Sequence, residues 1–183
     1  LQEEHACERN ESGGGMAAVS ADAPIVQISP DQPEPRLIAY AAGIVGRGGI
    51  VASPTDTVYG LLCDPTNDRA VRRIYEVKGR DFSRPLILLI AAPSDAGAYA
   101  AAMPDAAQRA VERYWPGPLT VVLPAGPGVP RSLLAGGDTI GLRMPAHPVV
   151  LGLIRAAGGA LASTSANRSG APPAARISPS TTG

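Results

Sequence analysis

Short apolar runs alternate along this chain with stretches whose apolar residues recur at helical spacing, which predicts strands interleaved with helices. Ile25 to Ile28 reads as a short strand. From Pro35 to Gly46 the apolar positions Leu37, Ile38, Ala41, Ile44 and Val45 fit one face of a helix. Gly48-Gly49 ends that helix, and Ile50-Val51-Ala52 reads as a buried strand. The clearest helix runs from Asn67 to Val77, with Ala70, Val71, Ile74 and Val77 on its apolar side. Asn67 is suited to cap its start and Gly79 to end it.

Leu86 to Ile90 is a continuous aliphatic run between Pro85 and Pro93, the pattern of a central strand. Ser94 to Ala101 and Asp105 to Trp115 have helical spacing, and Leu119 to Leu123 is a strand closed by Pro124. Thr139 to Arg143 predicts a further strand, Pro148 to Ala157 a helix, and Ala160 to Thr164 a last strand. No internal repeat is visible. The expected class is α/β (α+β), a mixed sheet flanked by helices.

Composition supports a buried core. Of 183 residues, 45% are hydrophobic and only 4% aromatic, so the core is aliphatic. The 21 glycines and 19 prolines imply many turns and close backbone approaches. Lys plus Arg equals Asp plus Glu at 16 each, so bulk charge gives no case for nucleic acid, and any basic site must be local. Cys7 and Cys63 are too few for a disulfide framework or a zinc site, which fits a reducing, cytoplasmic setting. No apolar run approaches the roughly 20 residues of a membrane helix. No secretory signal pattern is seen at the start. Residues Leu1 to Gly15 are polar and read as a disordered leader or as sequence upstream of a start at Met16. One domain is expected over residues 16–177, with Ser178 to Gly183 as a disordered tail.

Four stretches can carry chemistry. Ser53-Pro54-Thr55-Asp56-Thr57-Val58-Tyr59-Gly60 follows a strand, where hydroxyls can line a ligand crevice. Taken alone, it reads more readily as a turn held by side-chain-to-backbone bonds. Lys78-Gly79-Arg80-Asp81-Phe82-Ser83-Arg84-Pro85-Leu86 carries three cations suited to phosphate. Arg69, Arg72 and Arg73 precede it on the helix, and the alternative is a solvated basic face complementing the helix end. Thr139-Ile140-Gly141-Leu142-Arg143 puts a charge in an apolar strand, which needs an anionic partner. Asp138, Asp56 and a substrate carboxylate all qualify. Ser163-Thr164-Ser165-Ala166-Asn167-Arg168-Ser169-Gly170 leaves a strand in a small-residue loop, either an anion-binding concavity or a hydrogen-bonded turn. It lacks the pattern of a P-loop. The histidines are His5, in the leader, and His147, which precedes Pro148 and reads as a cap or surface residue. No Ser/His/Asp set or metal cluster is apparent, so nucleophilic hydrolysis has little support and no catalytic nucleophile is assigned.

Taken in order, the stretches Pro54 to Gly60, Lys78 to Leu86, Trp115 to Thr120 (Trp-Pro-Gly-Pro-Leu-Thr), Gly141 to Pro148 and Ser163 to Gly170 resemble the YrdC-like family of threonylcarbamoyl-AMP synthases. The resemblance covers about Pro35 to Pro173. It implies a twisted mixed sheet with a concave, positively charged surface. It also implies a nucleotidyltransferase that joins L-threonine, bicarbonate and ATP, giving threonylcarbamoyl-AMP and pyrophosphate. A partner transferase complex then modifies tRNA. Carried over by position, Thr57, Tyr59, Arg143 and Ser163 are implied around threonine. Lys78, Arg80, Arg84, Thr139, Ser165, Asn167 and Pro173 are implied around ATP. Magnesium would arrive with ATP, no dedicated metal cage being evident, and Asp56 is the motif carboxylate nearest to such a role.

Arg84 stands where relatives often carry Asn or Lys. Family members also continue past the Ser163 to Gly170 loop with a segment that completes the sheet, and Ser178 to Gly183 does not resemble it. A truncated product, a divergent member and a weakened enzyme are the expectations this leaves. Two other functions fit the same residues: a non-catalytic double-stranded RNA or tRNA-binding module, and a related carbamoyl-handling protein with another small substrate.

Overall fold

A computed structural model describes residues 23–79 and 81–167. The first helix, α1, spans Pro35–Gly46, as the spacing predicts, with Pro35 at its first turn and Ile38, Ala42 and Val45 buried. Strand β1 (Val51–Ser53) follows, then β2 (Gly60–Cys63). Helix α2 spans Asp68–Lys78. Asn67 caps it, its side chain accepting from the Ala70 N–H at 3.1 Å, and Gly79 ends it in the left-handed region at φ 60°.

Strand β3 (Ile87–Leu89), α3 (Asp105–Tyr114), β4 (Val121–Pro124), β5 (Thr139–Arg143), α4 (Pro148–Ala156) and β6 (Leu161–Ser165) complete the α-helices and strands of the described residues. The six strands form one mixed sheet in the order β1-β2-β6-β3-β5-β4. Only β3 and β5 pair in parallel, and the other neighbours are antiparallel.

Alternation of side chains across the strands divides the core in two. One face presents Cys63, Leu88, Ala162, Ile140, Leu142 and Leu123, and α2 and α3 pack on it through residues such as Val71, Ile74, Tyr75 and Val111. The other presents Leu62, Leu89 and Leu161, covered by Ala42 and Val45 of α1 and Val150, Leu153 and Ile154 of α4. Those two helices cover only part of that face. Towards the Gly60–Ser165 end, Ile87, Ser163, Ser165 and Gly60 line an open crevice instead.

Three expectations are corrected. Ile25 to Ile28 is not a strand: Ile25 and Val26 are 51% and 46% exposed, and no strand among the described residues pairs with them. The stretch expected as a helix from Ser94 forms a 3-10 helix over Pro93–Ala98. Asp95 accepts there from the main-chain N–H groups of Ala91 and Ala92, at 3.2 and 2.9 Å, which tightens its first turn. Pro124 does not close β4 but belongs to it, which is tolerated because β4 is an edge strand.

Candidate functional site

The Asp56-Thr57 turn between β1 and β2 is built by Thr55. Its hydroxyl donates to the Val58 carbonyl at 2.6 Å and accepts from the N–H groups of Thr57 and Val58 at 3.2 and 3.3 Å. Thr55, Thr57, Val58 and Tyr59 then form one side of the crevice. Ile87 and Leu89 of β3 with Gly60, Ser163 and Ser165 form its floor, and Arg143 at the end of β5 closes the other side. The cavity holds about 130 Å³. That suits a small polar molecule with one apolar flank, and a whole nucleotide needs more room.

Arg143 makes three bonds. Its Nε donates to the Gly117 carbonyl at 3.1 Å, Nη1 to Thr57 Oγ1 at 3.2 Å and Nη2 to Asp56 Oδ1 at 2.5 Å. The ion pair is sheltered, with the two side chains 11% and 13% exposed. Asp56 is therefore the anionic partner that the charge in β5 requires, and Asp138 is not. Asp138 is exposed, and its main-chain carbonyl accepts from Ala125 N–H at 2.8 Å. Asp56 Oδ2 is buried and has no hydrogen-bond partner among the described residues. The Trp115 to Thr120 stretch has its place here too. Trp115 Nε1 donates to the Leu119 carbonyl at 2.8 Å, closing a turn whose Gly117 faces Arg143. Gly117 N–H donates in return to the Met144 carbonyl at 2.8 Å.

At the exit of β6 the chain is held by Lys78. The side chain is 3% exposed, and Nζ donates to the Ser165 carbonyl at 2.5 Å, the Asn167 carbonyl at 2.9 Å and Asn167 Oδ1 at 3.2 Å. Ser165 Oγ donates to the same Asn167 Oδ1 at 2.5 Å, and Ala166 N–H to the Tyr59 carbonyl at 2.7 Å. Lys78, implied around ATP, has its ammonium on the loop that carries Ser165 and Asn167.

Thr57, Tyr59, Arg143, Ser163 and Ser165 come together around one crevice. Lys78 and Asn167 meet at its edge through Ser165. Thr139 lies on the same face of β5 as Arg143, at the strand's other end, exposed and outside the crevice lining. Arg84 is exposed and is also absent from the lining, and its main-chain carbonyl accepts from the Tyr75 hydroxyl at 2.8 Å. Arg80 and Pro173 lie outside the described residues. His147 caps α4, its Nδ1 accepting from Val149 N–H at 3.3 Å, in line with the cap reading. Burial pulls its pKa below the ordinary imidazole value, and the nearby carboxylates of Asp56 and Asp31 oppose that shift. Sequence reasoning gave no role to Gly117, because its contribution is a main-chain carbonyl that no side chain advertises. Among the described residues no three His, Cys, Asp or Glu side chains are grouped to hold a metal. None of the described helices is long and apolar enough to cross a membrane. A second crevice of about 280 Å³ lies beside the ends of α1 and α4, with Asp64 as its one charged lining residue, and it gathers none of the predicted site residues.

The Sua5/YciO/YrdC family model, described as "Telomere recombination", matches residues 43–180. A threonylcarbamoyl-AMP synthase of Halorhodospira halophila is 43% identical over 148 residues, 81% of this chain and 78% of that protein. One of Pyrococcus abyssi is 45% identical over 135 residues, 74% of this chain. This chain spans only 40% of the length of that Pyrococcus abyssi relative. A crystal structure of P. abyssi Sua5 complexed with L-threonine superposes with a TM-score of 0.76 at 43% identity, covering 78% of this chain and 42% of that one.

Proposed function

This chain belongs to the Sua5/YciO/YrdC family, and we propose that it makes L-threonylcarbamoyladenylate and pyrophosphate from L-threonine, bicarbonate and ATP. The observation that carries the reading is the crevice between Thr57, Tyr59, Ser163 and Arg143, sized for an amino acid and closed by a guanidinium. The structure of a relative complexed with L-threonine supports the choice of amino acid.

In this reading Arg143 takes the threonine carboxylate. Thr57, Tyr59 and Ser163 surround the rest of the molecule, and Ile87, Leu89 and Val58 give its methyl group an apolar wall. The amino group condenses with bicarbonate, releasing water and leaving a carbamate. A carbamate oxygen attacks the α-phosphorus of ATP, and pyrophosphate departs with the electron pair of the broken bond. Two anions must meet in that step, so the protein's task is to position them and to offset charge. No protein nucleophile is required. The nucleotide is assigned to the rim beyond Ser165 and Asn167, with Thr139, Arg84, Arg80 and Pro173 as its further contacts. Lys78 supports it by fixing the loop. Magnesium is assigned to the ATP phosphates. Asp56 is no ligand for it in this reading, because its carboxylate already faces a guanidinium and a second cation there is disfavoured.

The adenylate would pass to a transferase complex acting on tRNA, in the cytoplasm. The experiment that tests this reading is pyrophosphate release from ATP, measured with and without threonine and with and without bicarbonate. Release that needs both is expected. Release indifferent to threonine overturns the reading, and salt-sensitive RNA binding without turnover would favour an RNA-binding module.

A further inference from the structure

We propose that Asp56 is a positioning residue, which holds the Arg143 guanidinium across the crevice in the orientation that receives the amino-acid carboxylate. The inference rests on the functional reading above and concerns a residue for which that reading supplies no task.

Arg143 and Asp56 are far apart in the sheet. Strands β3 and β6 stand between β5 and the pair β1-β2, so the ion pair bridges the crevice from one side to the other. A guanidinium has five N–H donors in one plane. Three are directed at Gly117 O, Thr57 Oγ1 and Asp56 Oδ1. Acceptors on two separate segments fix that plane and leave two N–H groups on a side chain that lines the cavity. A carboxylate is the ligand group that two such donors suit.

The turn does not need Asp56 for its own shape. Its three internal bonds to the main chain are made by Thr55. What Asp56 adds is the contact with Arg143, and it adds it at a cost, because Oδ2 is buried without a partner among the described residues. A strained or unsatisfied group of this kind beside a ligand cavity is explained by the task of the group it touches. The charge matters as well. An unpaired guanidinium would draw the polyanionic phosphates of ATP into the amino-acid crevice. Paired with Asp56, it leaves the crevice close to neutral, which favours a zwitterion over a triphosphate.

The test is steady-state kinetics of Asp56→Asn and Asp56→Glu beside the wild type, with threonine and ATP varied separately. Asp56→Asn is expected to raise KM for threonine at least tenfold while KM for ATP changes less than twofold. ATP should then also inhibit competitively against threonine. Asp56→Glu keeps the charge and should recover part of the loss. Should Asp56→Asn fail to fold, Asp56→Glu carries the test alone, with a severalfold rise in threonine KM at unchanged ATP KM. An unchanged threonine KM, or parallel changes in both KM values, overturns the positioning role. A wild type without threonine-dependent pyrophosphate release overturns the functional reading instead, so the two failures are told apart.

Discussion

The ammonium of Lys78, on the last turn of α2, reaches the main-chain carbonyl of Ser165, the last residue of β6, at 2.5 Å. With Asn167 O and Oδ1 it has three oxygen acceptors among the described residues, enough for the three N–H donors of an ammonium. This is a buried charge solvated by the loop it organises.

Replacing Lys78 by Met keeps the stem and removes the donors. Three buried or half-buried oxygens then lose a charged donor, at about 1–3 kcal/mol for the loss of such bonds, although Asn167 Oδ1 keeps Ser165 Oγ and Ser165 O keeps Asn167 N–H. The expected result is a fall of several degrees in melting temperature, together with weaker ATP use because Ser165 and Asn167 lose their setting. Lys78→Arg should not restore either, since a planar guanidinium cannot aim three donors at converging acceptors. Thermal melting and ATP KM check this; unchanged melting in Lys78→Met would sink it.

Gly60 marks the floor of the crevice. A Cβ at this position would stand 3.2 Å from Ser163 Oγ, tight but open to adjustment. Gly60→Val should therefore fold, fill the space meant for the amino acid, and raise threonine KM by an order of magnitude or more. ATP affinity should barely move, because the nucleotide lies beyond Ser165 in the proposed arrangement. Calorimetric titration with each ligand distinguishes the outcomes, and equal loss of both would show that the two subsites are not separate.

Cys63 sits in β2 on the face covered by α2, fully buried, and desolvation pushes its thiol pKa up to about 12. The thiolate is the reactive form, so Cys63 should resist iodoacetamide at pH 8 in the folded protein and react once guanidinium unfolds it. Peptide mass spectrometry reads the modification at this residue. Rapid labelling under native conditions would mean that β2 opens far more easily than its burial implies.

Much of the scaffold was legible because its signals are local. α2 announces itself through an apolar stripe, an Asn cap and a Gly stop, and β5 through an apolar run containing one charge. β2 was not legible. Gly60 to Cys63 is four residues long, shows no alternation, and is a strand only because β1 and β6 flank it. Ile25 to Ile28 has the opposite history: its residues suit a strand, and none of the described residues pairs with it. The site divides in the same way. Hydroxyls and cations in Thr57, Ser163, Lys78 and Arg143 carry a residue-type signal. Their convergence depends on the strand order, which places β6 and β3 between β2 and β5. Whether Arg143 pairs with Asp138, five residues away, or with Asp56 is likewise a question of topology. Main-chain acceptors such as Gly117 O and Ser165 O leave no mark in a sequence at all.

His147 gives α4 a cap that depends on protonation. Its Nδ1 accepts from Val149 N–H, and only the neutral ring can accept. Burial lowers the folded-state pKa below that of the unfolded chain. Between the two values the unfolded state binds more protons, so stability rises with pH across that window. The contribution is present above about 6.5, the ordinary imidazole value, and is lost as pH falls through the folded-state pKa. Asn caps helices without titrating in this range. His147→Asn should therefore lose less stability than the wild type between pH 7.5 and pH 5. Melting curves of both proteins across that range measure it, and parallel profiles would mean that the cap does not depend on the charge of His147.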